Sequence, residues 1–328
     1  MSEARAPAAG GLRLVFFGTP EFAVPTLAKL LAGRHPVVGV VSQPDRPRGR
    51  GRHTAPSPVS ELAQRAGAAL LRPERVASPE VEAELRRLAP DLGVVVAFGQ
   101  FLPKRIRELP RLGYLINAHA SLLPRHRGAA PIQRAILAGD RQTGVSVMRV
   151  EREMDTGAVA LVRELEIGAE ETGGELTQRI AAASAEAVAE AIEQIAQGRV
   201  RWTPQPEAGV TLAPKLSAAD AALAFREGAE ALVRRVRALA PSPGASTRID
   251  GDRLAILAAR AQAGPVDGEP GTLRRGSDPL LRIATGEGWL VPLVVQRAGG
   301  RALAIDAFLR GRPLPDGMRL GAGLDFAG

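Results

Sequence analysis

The chain reads as an α/β protein built on a doubly wound parallel sheet and followed by a smaller β-barrel. Three observations predict this. Short apolar runs alternate with helical patterns between Leu12 and Ser121, the signature of strands joined by crossover helices. A proline-bearing stretch without periodicity interrupts the chain between Arg199 and Ser217, which marks a linker. Beyond it, short β-rich runs are separated by glycine and proline, the pattern of a small barrel. The resulting division is a first domain over 1–205, a linker over 206–217 and a second domain over 218–328.

Each element follows from its local pattern. The run Leu12–Gly18 (LRLVFFG) is a buried strand ending in glycine. The segment after it has apolar residues at helical spacing and stops at Gly33. Pro36–Ser42 (PVVGVVS) is a second buried strand, leading into an arginine-rich loop. A helix from Val59 to about Ala66, a short strand at Ala69–Leu71 and a helix from Pro79 to Leu88 come next. Asp91–Gly99 (DLGVVVAFG) is another buried strand, and YLINAHAS carries a further one. The architecture resembles a Rossmann sheet. However, the first strand ends in a lone GTP tripeptide without GxGxxG, so a dinucleotide is unsupported. Past Asp155, VALVRELEI is an antiparallel strand and an alanine-rich helix spans about Gly174 to Gln197. A helix over about Ala218–Leu239 then precedes the strand-like runs ASTRID, RLAILAARA, GTLRR, LLRIATG and GWLVPLVVQ.

Composition excludes several classes of function. The 328 residues contain no cysteine, which removes disulfides, thiolate metal sites and a cysteine nucleophile and fits a reducing compartment. The four histidines, His35, His53, His119 and His126, lack paired metal-ligand spacing, so no metal is expected. The first ten residues have no signal-type apolar core, and no run reaches the roughly 18 apolar residues of a membrane span. They read as a disordered lead-in to a soluble cytoplasmic protein. The net charge is +8, but the 43 cationic residues include only three lysines. That bias reflects genome composition as readily as a polyanionic partner.

The chemistry concentrates between Asn117 and Asp155. Asn117 and His119 stand two apart on an extended run, which puts both side chains on one face at a strand end. An amide and an imidazole there can hydrogen-bond a carbonyl oxygen as it becomes an oxyanion. Taken alone, the pair reads as a turn asparagine and a histidine satisfied by backbone, and Asp155 as an Asx-turn residue. The neighbouring segments change this reading. Ser121–Pro124 (SLLP) is an apolar shelf closed by proline, and RGAAP is small enough for a backbone to lie against a flat ligand. PIQRAILAGD begins a helix with Pro131 in its first turn.

The order N-x-H-x-S-L-L-P, R-G-A-A-P-I-Q, M-D-T-G resembles that of the folate-dependent formyltransferases. The resemblance implies that Asn117, His119 and Asp155 are the catalytic trio. It also implies that Ser121, Leu122, Leu123 and Pro124 line the site of the donor, 10-formyltetrahydrofolate, with no metal. Family members formylate different amines, and the trio does not separate a tRNA from a purine precursor or an amino sugar nucleotide, nor a transferase from a hydrolase of the donor. A non-catalytic tRNA-binding protein on the same scaffold is disfavoured by the intact trio. The loop Pro44–Arg52, with Arg46, Arg48, Arg50 and Arg52, resembles that of the members acting on methionyl-initiator tRNA and suits phosphate contact. From residue 208 onward 16 basic residues face 12 acidic ones, and the barrel resembles the family's OB-like C-terminal domain. There the chain departs from the family, having Leu212 where a Tyr is frequent, Leu223-Ala224-Phe225 where Ile-Asp-Trp is usual and Ser242 where a Trp is usual. A monomer is expected by resemblance.

Overall fold

The computed structural model describes residues 11–48, 53–278 and 280–321. The N-terminal lead-in, Arg50 and Arg52 therefore lie outside the described residues. The chain divides into two compact units, the first holding residues up to 128, 142–166 and 177–213, the second holding 129–141, 167–176 and 214 onward.

In the first unit, β1 (Leu14–Gly18) leads through a 3-10 turn into α1 (Val24–Leu31) and β2 (Val37–Val41). An antiparallel pair, β3 (Arg46–Arg48) and β4 (His53–Ala55), precedes α2 (Pro58–Arg65), β5 (Leu70–Leu71) and α3 (Pro79–Leu88). Then come β6 (Leu92–Val96), the single turn α4 (Lys104–Arg107), β7 (Leu115–His119) and β8 (Arg127–Gly128). Both α2 and α3 start with proline after a serine, Ser57 or Ser78, whose hydroxyl accepts a backbone N–H. The seven-stranded sheet runs β10-β9-β7-β6-β1-β2-β5, where β9 is Gln142–Arg149 and β10 is Val159–Glu166. The strands from β5 to β7 pair in parallel, while β9 and β10 extend the sheet antiparallel. The antiparallel β10 was expected. The buried strand β9, in the unassigned stretch after PIQRAILAGD, was not. Chain order reverses between β1 and β6, which is the switch point where open α/β sheets leave a crevice. Val15, Phe17 and Val95 pack there against Val81, Leu85 and Leu88 of α3.

The unit closes with most of α6 (Gly173–Ala196) and with β11 (Leu212–Ala213), which pairs in parallel with β8. The expected linker therefore contributes a strand to this unit.

The second unit contains α5 (Pro131–Ala138), α7 (Ala218–Ala221), α8 (Ala229–Leu239) and a six-stranded antiparallel sheet. Its strands are β12 (Ala245–Ile249), β13 (Asp252–Gln262), β14 (Leu273–Arg275), β15 (Leu281–Ala284), β16 (Trp289–Arg297) and β17 (Ala302–Ala304), followed by α9 (Ile305–Gly311). The path is β12-β13-β16-β15-β14, with β17 on β16, and it fits the small-barrel module expected here. Register shifts within β13 supply the local bending a curled sheet needs.

The single helix expected over 218–239 is instead broken. Residues 222–227 bond sideways to the sheet: Leu223 N–H donates to Ser246 O at 2.9 Å, and Phe225 O accepts from Gly286 N–H at 2.8 Å. Leu223 and Phe225 are buried, so their burial outweighs continued helix, and α8 restarts after extended Gly228. Among the described residues, no helix is long and apolar enough to cross a membrane.

Candidate active site

Asn117 and His119 occupy the carboxyl end of β7, opposite Met148 and Ser146 of β9. The strand register directs both side chains to one face. His119 is buried, and its Nε2 lies 2.8 Å from the carbonyl oxygen of His126. A carbonyl only accepts, so Nε2 carries the proton. The other nitrogen, Nδ1, faces Asp155 Oδ2 at 3.5 Å, longer than a hydrogen bond. Asp155 Oδ2 also accepts the Gly128 N–H at 2.9 Å. The direct hydrogen bond to the ring thus comes from a main-chain carbonyl, with the aspartate standing farther off. Asn117 is half-buried and forms no side-chain hydrogen bond among the described residues.

The turn carrying Asp155 is held close to β9. A Cβ on Gly157 would lie 1.9 Å from the Arg149 carbonyl oxygen, so only glycine fits there. Asp155 itself takes a left-handed conformation with φ 58°, uncommon for a residue with a Cβ. Gln205 donates from Nε2 to the carbonyls of Asp155 and Gly157, each at 2.8 Å.

The Ser121–Pro124 shelf is anchored from β9. Ser146 Oγ donates to Ser121 O at 2.8 Å and accepts the Leu123 N–H at 3.1 Å. Ser121 is buried and donates its hydroxyl to Arg125 O at 2.6 Å. Leu122, Leu123 and Pro124 are partly exposed and form the apolar surface of the shelf. In the arginine loop, Arg46 is exposed on β3, and Arg48 ends that strand. The loop's one acid, Asp45, pairs with Arg72 at 2.6 Å.

Sequence reasoning missed Ser146, Gln205, the His126 carbonyl and Thr211, whose Oγ1 accepts the His126 N–H at 2.8 Å. A carbonyl leaves no trace in a sequence, and Gln205 stands in a proline-flanked run without periodicity. His126 supports the site through its main chain. Among the described residues, no group of three or more His, Cys, Asp or Glu could hold a metal ion.

A Rossmann-like sheet with Asn117 and His119 at the end of one strand and Asp155 beside the imidazole fits a class of group-transfer enzyme. The family described as formyl transferase matches residues 12–192, and its C-terminal domain matches residues 215–313. The chain belongs to the formyl transferase family and is a transferase. It is 47% identical to the methionyl-tRNA formyltransferase of Chromohalobacter salexigens, over 94% of this chain and 97% of that protein. It is equally 47% identical to the methionyl-tRNA formyltransferase of Acidiphilium cryptum, covering 94% of this chain and all of the other. The fold is similar to the N-formyltransferase of Helicobacter canadensis solved with folinic acid and dTDP-3-aminofucose, with TM-score 0.61, 14% identity and 87% and 99% of the two chains covered. It is also similar to HypX of Aquifex aeolicus in complex with tetrahydrofolic acid, with TM-score 0.58, 19% identity and 91% and 47% covered.

Proposed function

We propose that this chain transfers the formyl group of 10-formyltetrahydrofolate to the α-amino group of methionyl-initiator tRNA, for translation initiation. The observation that carries the reading is the meeting of His119 with Asp155 at the carboxyl end of β7, beside an uncommitted Asn117. Full-length similarity to methionyl-tRNA formyltransferases supports tRNA over a small amine.

Asn117, His119 and Asp155 are the catalytic residues in this reading. The amine nitrogen attacks the formyl carbon, and the carbonyl oxygen becomes anionic. Asn117, with its amide free, donates to that oxygen. His119 Nε2 is engaged by His126, so Nδ1 takes the amine proton and passes it to the departing folate nitrogen as the old C–N bond breaks. Asp155 stands beside Nδ1 to offset the charge the ring gains. The α-amino group titrates at roughly pH 7.7–8.0, so much of it is already an unprotonated nucleophile near neutrality. The turn Ser121, Leu122, Leu123 and Pro124 borders the donor site, its apolar surface suited to a flat ring. No metal takes part.

Arg46, Arg48, Arg50 and Arg52 contact tRNA phosphates, and a catalytic domain (1–205) is joined by a linker (206–217) to an OB-like tRNA-binding domain (218–328). The enzyme acts as a cytoplasmic monomer. Purified protein given formyl donor and charged initiator tRNA should release tetrahydrofolate and formylate the methionine. Formylation of a small amine with none of the charged tRNA would overturn the acceptor. Changing Arg48, Arg50 and Arg52 together to Ala should raise KM for tRNA and flatten its salt dependence. An unchanged slope would remove the loop from the interface.

A further inference from the structure

Five described residues other than glycine have positive φ: Ala89, Ala97, His126, Asp155 and Asp250. Two of them, His126 at 57° and Asp155 at 58°, touch His119 from opposite ring nitrogens. Such conformations persist only where the surroundings over-determine them. Here both are held by one short segment. Thr211 Oγ1 accepts the His126 N–H at 2.8 Å, and Thr211 O accepts the Arg127 N–H at 2.9 Å. Gln205 Nε2 grips the carbonyls of Asp155 and Gly157, while its Oε1 accepts Arg127 Nε and Nη2 at 3.0 and 2.6 Å. Thr203 exchanges backbone hydrogen bonds with Val159, just past the same turn, and Ala213 pairs with Gly128, whose N–H holds the Asp155 carboxylate.

We propose that residues 203–213 form a strap that sets the catalytic geometry, with Gln205 the positioning residue for Asp155 and Thr211 the positioning residue for His119. This rests on the roles assigned above to His119 and Asp155. No residue of the strap hydrogen-bonds the His119 ring or the Asp155 carboxylate itself; Gln205 bonds Asp155 only at its main-chain carbonyl. Thr211 acts through the left-handed turn at His126, whose carbonyl receives Nε2. Gln205 acts through the left-handed turn at Asp155, whose carbonyl accepts its Nε2. A shift of a few tenths of an ångström at either turn changes the 3.5 Å approach of Nδ1 to Oδ2, and proton transfer is sensitive to such displacement.

The test uses the full-length enzyme and isosteric pairs. Thr211→Val removes the hydroxyl and keeps the shape, whereas Thr211→Ser keeps the hydroxyl. We expect Thr211→Val to lower kcat about tenfold, with KM for donor and tRNA within about twofold and the pH profile of kcat displaced. Thr211→Ser should restore kcat and profile. For Gln205, Gln205→Met removes both halves of the bridge, and Gln205→Glu keeps the acceptor for Arg127 but loses the donors to Asp155 and Gly157. Both should be slow. Restoration by glutamate would show that only the Arg127 contact matters and would overturn the assignment to Asp155. Unchanged kcat, or a loss in Thr211→Val that serine does not rescue and that leaves the pH profile in place, would overturn the strap. His119→Ala serves as the reference. If that variant turns over normally, the catalytic reading fails; if it is inactive while the strap variants are normal, only the strap fails.

Discussion

In the seven-stranded sheet, β1 and β6 are buried at all five of their positions, whereas in the six-stranded sheet β12 alternates buried with partly or fully exposed positions. The first pattern belongs to a parallel sheet covered on both faces, the second to an antiparallel sheet with one wet side. A strand buried on both faces holds a polar side chain along its length only where a partner satisfies it, as Ser146 of β9 is satisfied by Ser121 O and the Leu123 N–H, and polar groups otherwise collect at its ends. Asn117 and His119 close β7 in this way; the His119 ring and the Asp155 carboxylate have named partners, while the Asn117 amide is unengaged among the described residues. The antiparallel sheet can carry charge anywhere along its outer side at little cost. Arg248, Arg253 and Arg260 stand there on β12 and β13, exposed. The first sheet thus offers a few closely supported polar atoms, and the second offers exposed charges, of which Arg248 and Arg253 bond to nearby groups and Arg260 bonds to none among the described residues.

The sharpest way to break this contrast is to remove a supported atom. His119→Ala should lower turnover by about 10²–10⁴-fold while binding of tRNA stays within about twofold. Single-turnover rates and a binding isotherm measure the two separately. Equal losses in rate and affinity would mean that the strand-end histidine is a binding group, as loosely used as a surface arginine. Gly157→Ala is next. The added Cβ would meet the Arg149 carbonyl at 1.9 Å, a backbone atom that cannot swing aside. The expected cost is about 3 kcal/mol in chemical unfolding, with a loss of rate as the Asp155 turn shifts. Wild-type stability in this variant would show that the turn is as tolerant as an exposed hairpin.

The same contrast explains what could be read from the residues alone. Runs such as LVFFG and LGVVV announce strands because burial on both faces demands uninterrupted apolar residues. The three proposed catalytic side chains were legible as candidates because they stand in fixed order around SLLP and RGAAPIQ. The supports of the trio were not, since the His126 carbonyl, the φ of Asp155 and the reach of Gln205 are properties of the folded backbone. In the second unit the strands were legible from their spacing, but the break between α7 and α8 was not. Apolar periodicity continues through Leu223 and Phe225, while their main-chain groups bond to Ser246 and Gly286, partners far off in sequence.

A smaller effect is expected where the second unit does hold a supported charge. Arg134 donates to both carboxylate oxygens of Asp220, at 2.6 and 3.0 Å. This pairing, joined by the hydrogen bonds from Ser217, holds the Asp220 carboxyl at about 2, below its usual 3.8, against the opposing effect of burial. A depressed carboxylate stabilises the fold above its unfolded pKa and loses that contribution as pH falls toward the folded value. The contribution is about 2 kcal/mol at neutral pH. Asp220→Asn should lose it in urea unfolding at pH 7, and the difference from wild type should shrink as pH drops from about 4 toward 2. A difference independent of pH would assign the effect to packing.

The smallest effect on stability belongs to Arg260, which is exposed and forms no hydrogen bond or ion pair among the described residues. Arg260→Ala should change unfolding free energy by less than about 0.5 kcal/mol. If the wet side of the sheet meets tRNA, the same change weakens binding and makes the slope of log K against log salt shallower by about 1, as one phosphate is no longer neutralised. An unchanged slope would take this position out of the interface and leave its charge as solvation alone. Either result separates a surface charge, removable without structural cost, from the strand-end groups of the first unit, whose supports cannot be altered without moving the site.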